Sequence, residues 1–288
     1  SGIINIILNK NANMGFNGSI NTGVEAGHFV RYNGSLDMNY KTGKVNFFSN
    51  YGARTGKRHN FGNINRPGSP IIEQGFIFDN DNTSHLLKFG ADIYINDKNT
   101  LSLYTTQNWN NSLATGNTIV TEDGTIVTNA PTRSDSKNKS GAYNLNYKLD
   151  LDDKGHQIEF EANYSDSSSP EDALFEEIIN PTNQSLNYEN TVTNNRSNTL
   201  LNVDYTNPIS KNGKLEIGGE IRINKTENSI ITNQENINNS AFNYDRNIFS
   251  TYVNYGHKFN KITMQLGARF EQYEVDGKFI DGSQLETV

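Results

Sequence analysis

The residues that could carry chemistry in this chain are mainly charged side chains in segments that alternate polar and apolar. Six of them fall on the polar side of their segments: Asp92, Glu159, Glu161, Glu220, Arg222 and Arg269. Buried polar and ionic groups need partners. Two hypotheses stand side by side: these charges dock another part of the protein and line a permeation route, or they only hydrate a wide interior.

A second candidate is a basic and aromatic segment within residues 55–82, which we expect to be a loop. Its cations and adjoining residues include Arg54, Arg58, His59 and Arg66. Loops on a rigid scaffold often carry ligand contacts, so these side chains could meet an anionic ligand. The plainer interpretation, which we favour, is a solvated loop that touches a phosphate-rich membrane surface.

Acidic residues occur in two further places. The segment 169–194 contains Glu171, Asp172, Glu176 and Glu177 and could bind cations, but a solvated turn of helix is the favoured interpretation. The run 150–161 partly imitates a calcium-binding EF-hand loop. Since Lys154 replaces a ligand and strand-like segments flank the run, a tight turn is favoured there.

Enzyme chemistry has little support. The five histidines show no metal-ligand spacing, and no G-x-S-x-G elbow, P-loop or H-E-x-x-H occurs. We therefore expect no enzyme, no metal and no cofactor. A net charge of -7 without a basic cluster argues against a nucleic-acid partner.

The elements that must position these residues are eleven strands with period-2 alternation. Their expected spans are 14–26, 30–41, 44–57, 83–96, 99–111, 138–151, 155–168, 195–208, 213–230, 242–258 and 261–276. Tight polar turns are expected near 41–44, 96–99, 152–155, 210–213 and 259–261. Long loops rich in Asn, Ser and Thr are expected at 55–82, 112–137, 169–194 and 231–241, with a small hairpin turning at Asp123-Gly124.

Short turns at one end and long loops at the other are typical of an outer-membrane β-barrel. Tyrosines recur near the tight turns, as an interfacial girdle requires, and the strands exceed the 5–6 residues usual in globular proteins. A soluble β-sandwich or adhesin shows the same alternation and stays as the alternative. The predicted fold class is all-β: an antiparallel up-and-down transmembrane barrel. Eleven strands cannot close in lipid by themselves and single-chain barrels have even counts, so we expect part of a larger barrel.

The chain also resembles a known family. The segments 1–11 and 15–19 look like the plug-to-barrel junction of TonB-dependent outer-membrane receptors, and 31–36, 43–48 and 267–271 are similar to its Bacteroidetes-type branch of outer-membrane β-barrel family proteins. The resemblance implies a 22-stranded plugged barrel. Residues 1–12 would be the last plug strand and 13–288 the N-terminal half of the barrel, in a fragment of a longer protein.

What the resemblance implies for function is uptake of a scarce nutrient such as an iron chelate, a vitamin, a glycan or a peptide. The expected partners are outer-membrane lipid, the protein's own plug domain and a TonB-type energy-transducing protein, in the outer membrane of a Gram-negative bacterium. The six charges of the polar side would then meet the plug. The alternatives are an outer-membrane barrel with a structural or partner-binding role and no transport, or a soluble extracellular β-protein.

Overall fold

The computed structural model describes residues 14–282, which form one antiparallel sheet with its eleven strands in sequence order. The strands are β1 (Gly15–Ala26), β2 (Val30–Thr42), β3 (Val45–Arg66), β4 (Ile72–Asn96), β5 (Asn99–Glu122), β6 (Thr125–Asp150), β7 (Gln157–Ile179), β8 (Gln184–Asn207), β9 (Gly213–Thr232), β10 (Ser240–Phe259) and β11 (Ile262–Asp281). No helix of this part of the chain is long and apolar enough to span a membrane. The expected plug strand, 1–12, lies outside the described residues.

The expected tight turns are confirmed, and they all lie at one end of the sheet. Two residues separate β2 from β3, β4 from β5 and β10 from β11 at this end. Gly43 and Asn260 adopt φ angles of 53° and 51° in two of these turns, a conformation that Gly and Asn tolerate best. The run that imitates an EF-hand is also a turn, between β6 and β7.

Three of the four expected long loops are wrong. Most of 55–82, 112–137 and 169–194 continues the ladders of β3–β4, β5–β6 and β7–β8, with short connections at 67–71, 123–124 and 180–183, whereas 233–239 is a loop as expected. The predicted turn of helix around Glu171 is strand β7. The sequence pattern misled because most side chains on both faces are polar here, while the ladders continue through most of these positions. The Asp123-Gly124 turn is confirmed, with φ angles of 48° and 79°, but it closes two strands of 24 and 26 residues.

The ladders divide the side chains into two faces of opposite chemistry. In β4, Leu87, Phe89, Ala91, Ile93 and Ile95 lie on one face, which we call the apolar face. The alternate residues lie on the other, the polar face. The registers carry this division across all eleven strands, because directly paired residues share a face.

Apolar side chains on the apolar face are concentrated in a band next to the tight turns. It covers 45–53 in β3, 87–95 in β4, 158–164 in β7, 215–223 in β9 and 262–270 in β11. Except in β7, these ranges span about nine residues, which matches the 9–11 that a tilted strand needs to cross the hydrocarbon core. β6 has 26 residues, about 85 Å at ~3.3 Å per residue, so much of it extends past this apolar band with polar side chains on both faces.

Tyrosines bound the apolar band. Four of the five expected at the tight-turn end, Tyr40, Tyr147, Tyr205 and Tyr255, lie on the apolar face, whereas Tyr94 lies on the polar face under Lys41. Within residues 14–282, β1 pairs only with β2 and β11 only with β10. The sheet therefore has two open edges.

Candidate functional site on the polar face

All six charges predicted to face an interior lie on the polar face: Asp92 in β4, Glu159 and Glu161 in β7, Glu220 and Arg222 in β9, and Arg269 in β11. The sheet gathers three of them. Arg222 contacts Glu220 at 2.8 Å, and Arg269 lies 3.7 Å from the same carboxylate. Arg269 also donates to Glu271 at 3.1 Å and to Ser250 at 2.9 Å. Two arginines and two glutamates on β9 and β11 thus form a group of zero net charge, and Ser250 joins it to β10 between them.

The other three charges have partners elsewhere on the wall. Asp92 accepts hydrogen bonds from Asn46 at 3.3 Å and from Ser102 at 2.7 Å, so it joins β3, β4 and β5. Glu159 faces Lys148 at 3.6 Å. Glu161 accepts a bond from Asn163, two residues along the same strand. The polar face is therefore hydrogen-bonded within itself, and two of its arginine side chains stay partly exposed, 44% for Arg222 and 49% for Arg269.

The four basic-segment candidates do not form one site. Arg54 and Arg58 lie on the polar face of β3, opposite Ser84 and Asn80 of β4. His59 lies on the opposite face, where its Nδ1 is 2.7 Å from Asp79 Oδ1 and its ring stacks on His28 at 4.1 Å. Arg66 is the last residue of β3, far along the strand. The segment is a strand rather than a loop. Because successive side chains of a strand point to opposite faces, its candidate residues are divided between the two faces.

Arg54 has two neighbours that the sequence analysis missed. The two oxygens of Glu25 in β1 contact Arg31 of β2 at 2.5 Å and Arg54 at 3.2 Å. A sequence signal was present for the contacts of this segment with β4, because Pro67-Gly68 marks a turn at the middle of 55–82. Folding β3 onto β4 about that turn gives the observed register and brings Arg54 and Arg58 against polar residues of β4.

Residues 14–282 contain no candidate metal site, because no group of three or more His, Asp or Glu side chains in them is close enough to hold an ion. His156 and His257 lie by the tight turns and His28, His59 and His85 toward the other end.

In the β6–β7 turn, Asp152 accepts backbone N–H bonds from Lys154 at 2.8 Å and His156 at 3.1 Å. These bonds lower the pKa of the Asp152 carboxyl, the Lys154 bond contributing most.

A groove of about 610 Å³ lies on the apolar face across β4–β8. Its side chains include Phe89, Leu103, Tyr143, Leu145 and Tyr164. This is the apolar band itself, so the groove fits hydrocarbon chains rather than a polar ligand.

Residues 149–287 match the model of the outer membrane protein beta-barrel family. No curated protein matches the sequence. Among solved structures, the ferric yersiniabactin uptake receptor FyuA from Yersinia pestis is similar with a TM-score of 0.42 and 10% identity, over 86% of this chain and 43% of that one. The Ralstonia pickettii toluene transporter TbuX gives a TM-score of 0.34 and 9% identity, over 92% of this chain and 90% of that one.

This chain thus spans less than half of FyuA's length. The family match covers the segment from the end of β6 through β11, and the same two-faced antiparallel sheet continues unbroken through β1–β5. The predicted all-β, antiparallel up-and-down class is confirmed for residues 14–282, whose eleven strands form one sheet in sequence order, and the segment 149–287 is similar to an outer-membrane β-barrel family.

Proposed function

We propose that this chain is part of the wall of a plugged outer-membrane transporter that takes up a scarce nutrient, such as an iron chelate, a vitamin, a glycan or a peptide, in a Gram-negative bacterium. The observation that carries the proposal is the chemistry of the polar face at the level of the apolar band. There the side chains include Asn46, Asp92, Ser102, Glu159 and Glu220, which cannot pack into a dry core.

Barrel width supports the same proposal. Small barrels fill their interior with side chains, whereas barrels of 16 or more strands enclose water or a plug. A sheet that already has eleven strands and two open edges needs further strands to close in lipid. The resulting lumen is wide, and we propose that the protein's own plug domain occupies it. Arg222 and Arg269, with accessible guanidinium groups, are the proposed contacts for that plug. We also propose that a TonB-type partner moves the plug and that the protein is not an enzyme.

The experiment is uptake in cells that carry or lack the full-length gene. Accumulation of radiolabelled ferric citrate, cobalamin and a mixed oligosaccharide pool is measured with and without a protonophore. We expect the deletion to abolish uptake of at least one class, with a protonophore producing the same loss in wild-type cells. Uptake that survives the protonophore would argue against energy coupling. Unchanged uptake of every class would leave a structural role as the better explanation.

A partner-binding role has one observation in its favour. Beyond the apolar band, Phe61, Ile77 and Ile119 line a cavity of about 440 Å³ on the apolar face, together with His59. Phe61 is 73% exposed and Ile77 is 56% exposed, which is unusual for a surface outside lipid. If partner binding is the main role, the double substitution F61S/I77S abolishes the cellular phenotype while uptake of the labelled nutrients stays at the wild-type level.

A further inference from the structure

A cavity on the polar face of β2–β5 holds three arginines. It has a volume of about 300 Å³, and Arg31, Arg54 and Arg58 line it together with Asn80, Asn82 and Asn110. On the other face of β3 the apolar band ends at Ala53. The cavity therefore lies just past the hydrocarbon level, on the side that faces the interior under the proposed function.

The charges of this cavity do not cancel. Glu25 is the carboxylate that contacts its arginines, and it is shared between Arg31 at 2.5 Å and Arg54 at 3.2 Å. Arg58 has no hydrogen-bond or ion-pair partner among residues 14–282, and no acidic side chain lines the cavity. Three guanidinium groups against one carboxylate leave a local charge of about +2.

The amides beside Arg58 also present donors. Ser112 donates to Asn80 Oδ1 at 2.7 Å, and Asn82 donates to Asn110 Oδ1 at 2.6 Å. These bonds engage the oxygens of Asn80 and Asn110 and leave their NH₂ groups for another acceptor. A group that satisfies a guanidinium and amide N–H donors together is an oxyanion.

Close packing of the backbone holds the cavity in shape. Gly56 adopts φ +139°, and a Cβ there would lie 2.8 Å from both Cα and Cγ of Arg31. Arg31, paired with Gly56 across the β2–β3 ladder, therefore lies flat over the glycine. This position lets its guanidinium reach Glu25 and leaves Arg58 facing the open cavity.

We propose that this cavity binds the carboxylate or phosphate group of a small polar solute, with Arg58 as the principal contact and Arg54 and the asparagine amides as supporting donors. The proposal rests on the proposed function for the route by which the solute arrives. Lys57 and His59, one residue away on either side of Arg58, lie on the other face and take no part.

The test is equilibrium dialysis of the purified full-length protein in detergent with radiolabelled citrate and, separately, inorganic phosphate. We expect saturable binding of at least one anion, weakened by added salt, and none of choline. Loss of a charge-assisted hydrogen bond in R58A raises the Kd about 10- to 100-fold, while R58K retains part of the affinity. Removing the competing carboxylate in E25Q lowers the Kd about three- to ten-fold.

K57A is the matched control, because it removes the same charge at the next residue but on the opposite face. Its Kd should equal that of the wild type. If neither anion binds the wild type, or if R58A and K57A weaken binding equally, the anion site is overturned. Dialysis needs no energy source and no uptake, so its failure is distinguishable from failure of the transport proposal in cells.

Discussion

The hydroxyl of Tyr252 donates a hydrogen bond of 2.5 Å to Asp204 although a whole strand separates them. Tyr252 is in β10 and Asp204 in β8, and both are paired directly with Gly218 of β9. A Cβ on Gly218 would lie 2.2 Å from the tyrosine ring and 2.4 Å from the Asp204 carboxylate. The missing side chain is what allows the ring to lie across β9, so one contact joins three strands of the polar face.

Substitution G218A should therefore destabilise the sheet, because the new methyl group displaces the Tyr252 ring. We expect the free energy of unfolding to fall by about 1–3 kcal/mol, measured by urea titration of the full-length protein in lipid vesicles. Gly219 provides the control, since a Cβ there meets its nearest atom at 3.6 Å on the other face. G219A should change the unfolding free energy by less than about 0.5 kcal/mol. Equal losses in both variants would contradict this account.

The strand ends show how far the sequence could predict the fold. At the tight-turn end each predicted strand boundary falls within two residues of the observed one, as for β4 at 96 and β7 at 155 against 157. At the other end the predicted start of β6, 138, is 13 residues from the observed 125. Alternation of polar and apolar residues marks a strand only where one face contacts an apolar environment and the other a polar one. Past the apolar band most side chains on both faces are polar, with Phe61 and Ile77 among the exceptions, and the alternation is lost while the ladder continues.

A second prediction concerns what each face contacts. The chain has no cysteine, so S102C and L103C each place one nitroxide label on neighbouring residues of opposite faces in β5. Ser102 donates to Asp92 on the polar face, and Leu103 is 38% exposed on the apolar face. In full-length protein reconstituted in vesicles, we expect dissolved oxygen to relax the label at 103 more strongly and an aqueous nickel chelate to relax the label at 102. Strong relaxation of both labels by the nickel chelate would support the soluble alternative instead.

A third prediction concerns orientation. A peptide tag inserted after Asp123, in the β5–β6 turn, should be stained by antibody on intact cells. The same tag inserted after Asp97, in the β4–β5 turn at the other end of β5, should be stained only after the outer membrane is permeabilised. The expectation follows from the rule that short turns of these barrels face the periplasm. Staining of the Asp97 tag alone on intact cells would invert the orientation and remove the route to the arginine cavity proposed above.

The candidate site was predictable only in part, and the reason is register. The six charges of the polar face were assigned correctly to one face because each belongs to a segment with visible alternation. The neighbours of Arg54 required the β1–β2 and β2–β3 registers together, because Glu25 lies in β1 and Arg31 in β2. The asparagines around Arg58 required a third register, from β3 to β4. The tight turn at Gly43 marks the β2–β3 hairpin, but the β3–β4 register depends on Pro67-Gly68 within a segment that was predicted to be a loop. A shift of one residue there would exchange the faces of Arg58 and His59.

The last prediction concerns the β6–β7 turn at low pH. Asp152 accepts two backbone N–H bonds, and its folded-state pKa is lowered by them, the Lys154 bond first. A lowered folded pKa means that the ionised carboxylate stabilises the turn above the ordinary pKa of about 3.9, and that this contribution is lost as the pH falls through the folded value. D152N keeps an oxygen acceptor but removes the charge. We expect it to unfold at lower urea concentration than the wild type at pH 6, with the difference shrinking toward zero near pH 2. D153N, next in the same turn, is the control. A D152N deficit that persists at pH 2 would show that side-chain geometry, rather than charge, stabilises this turn.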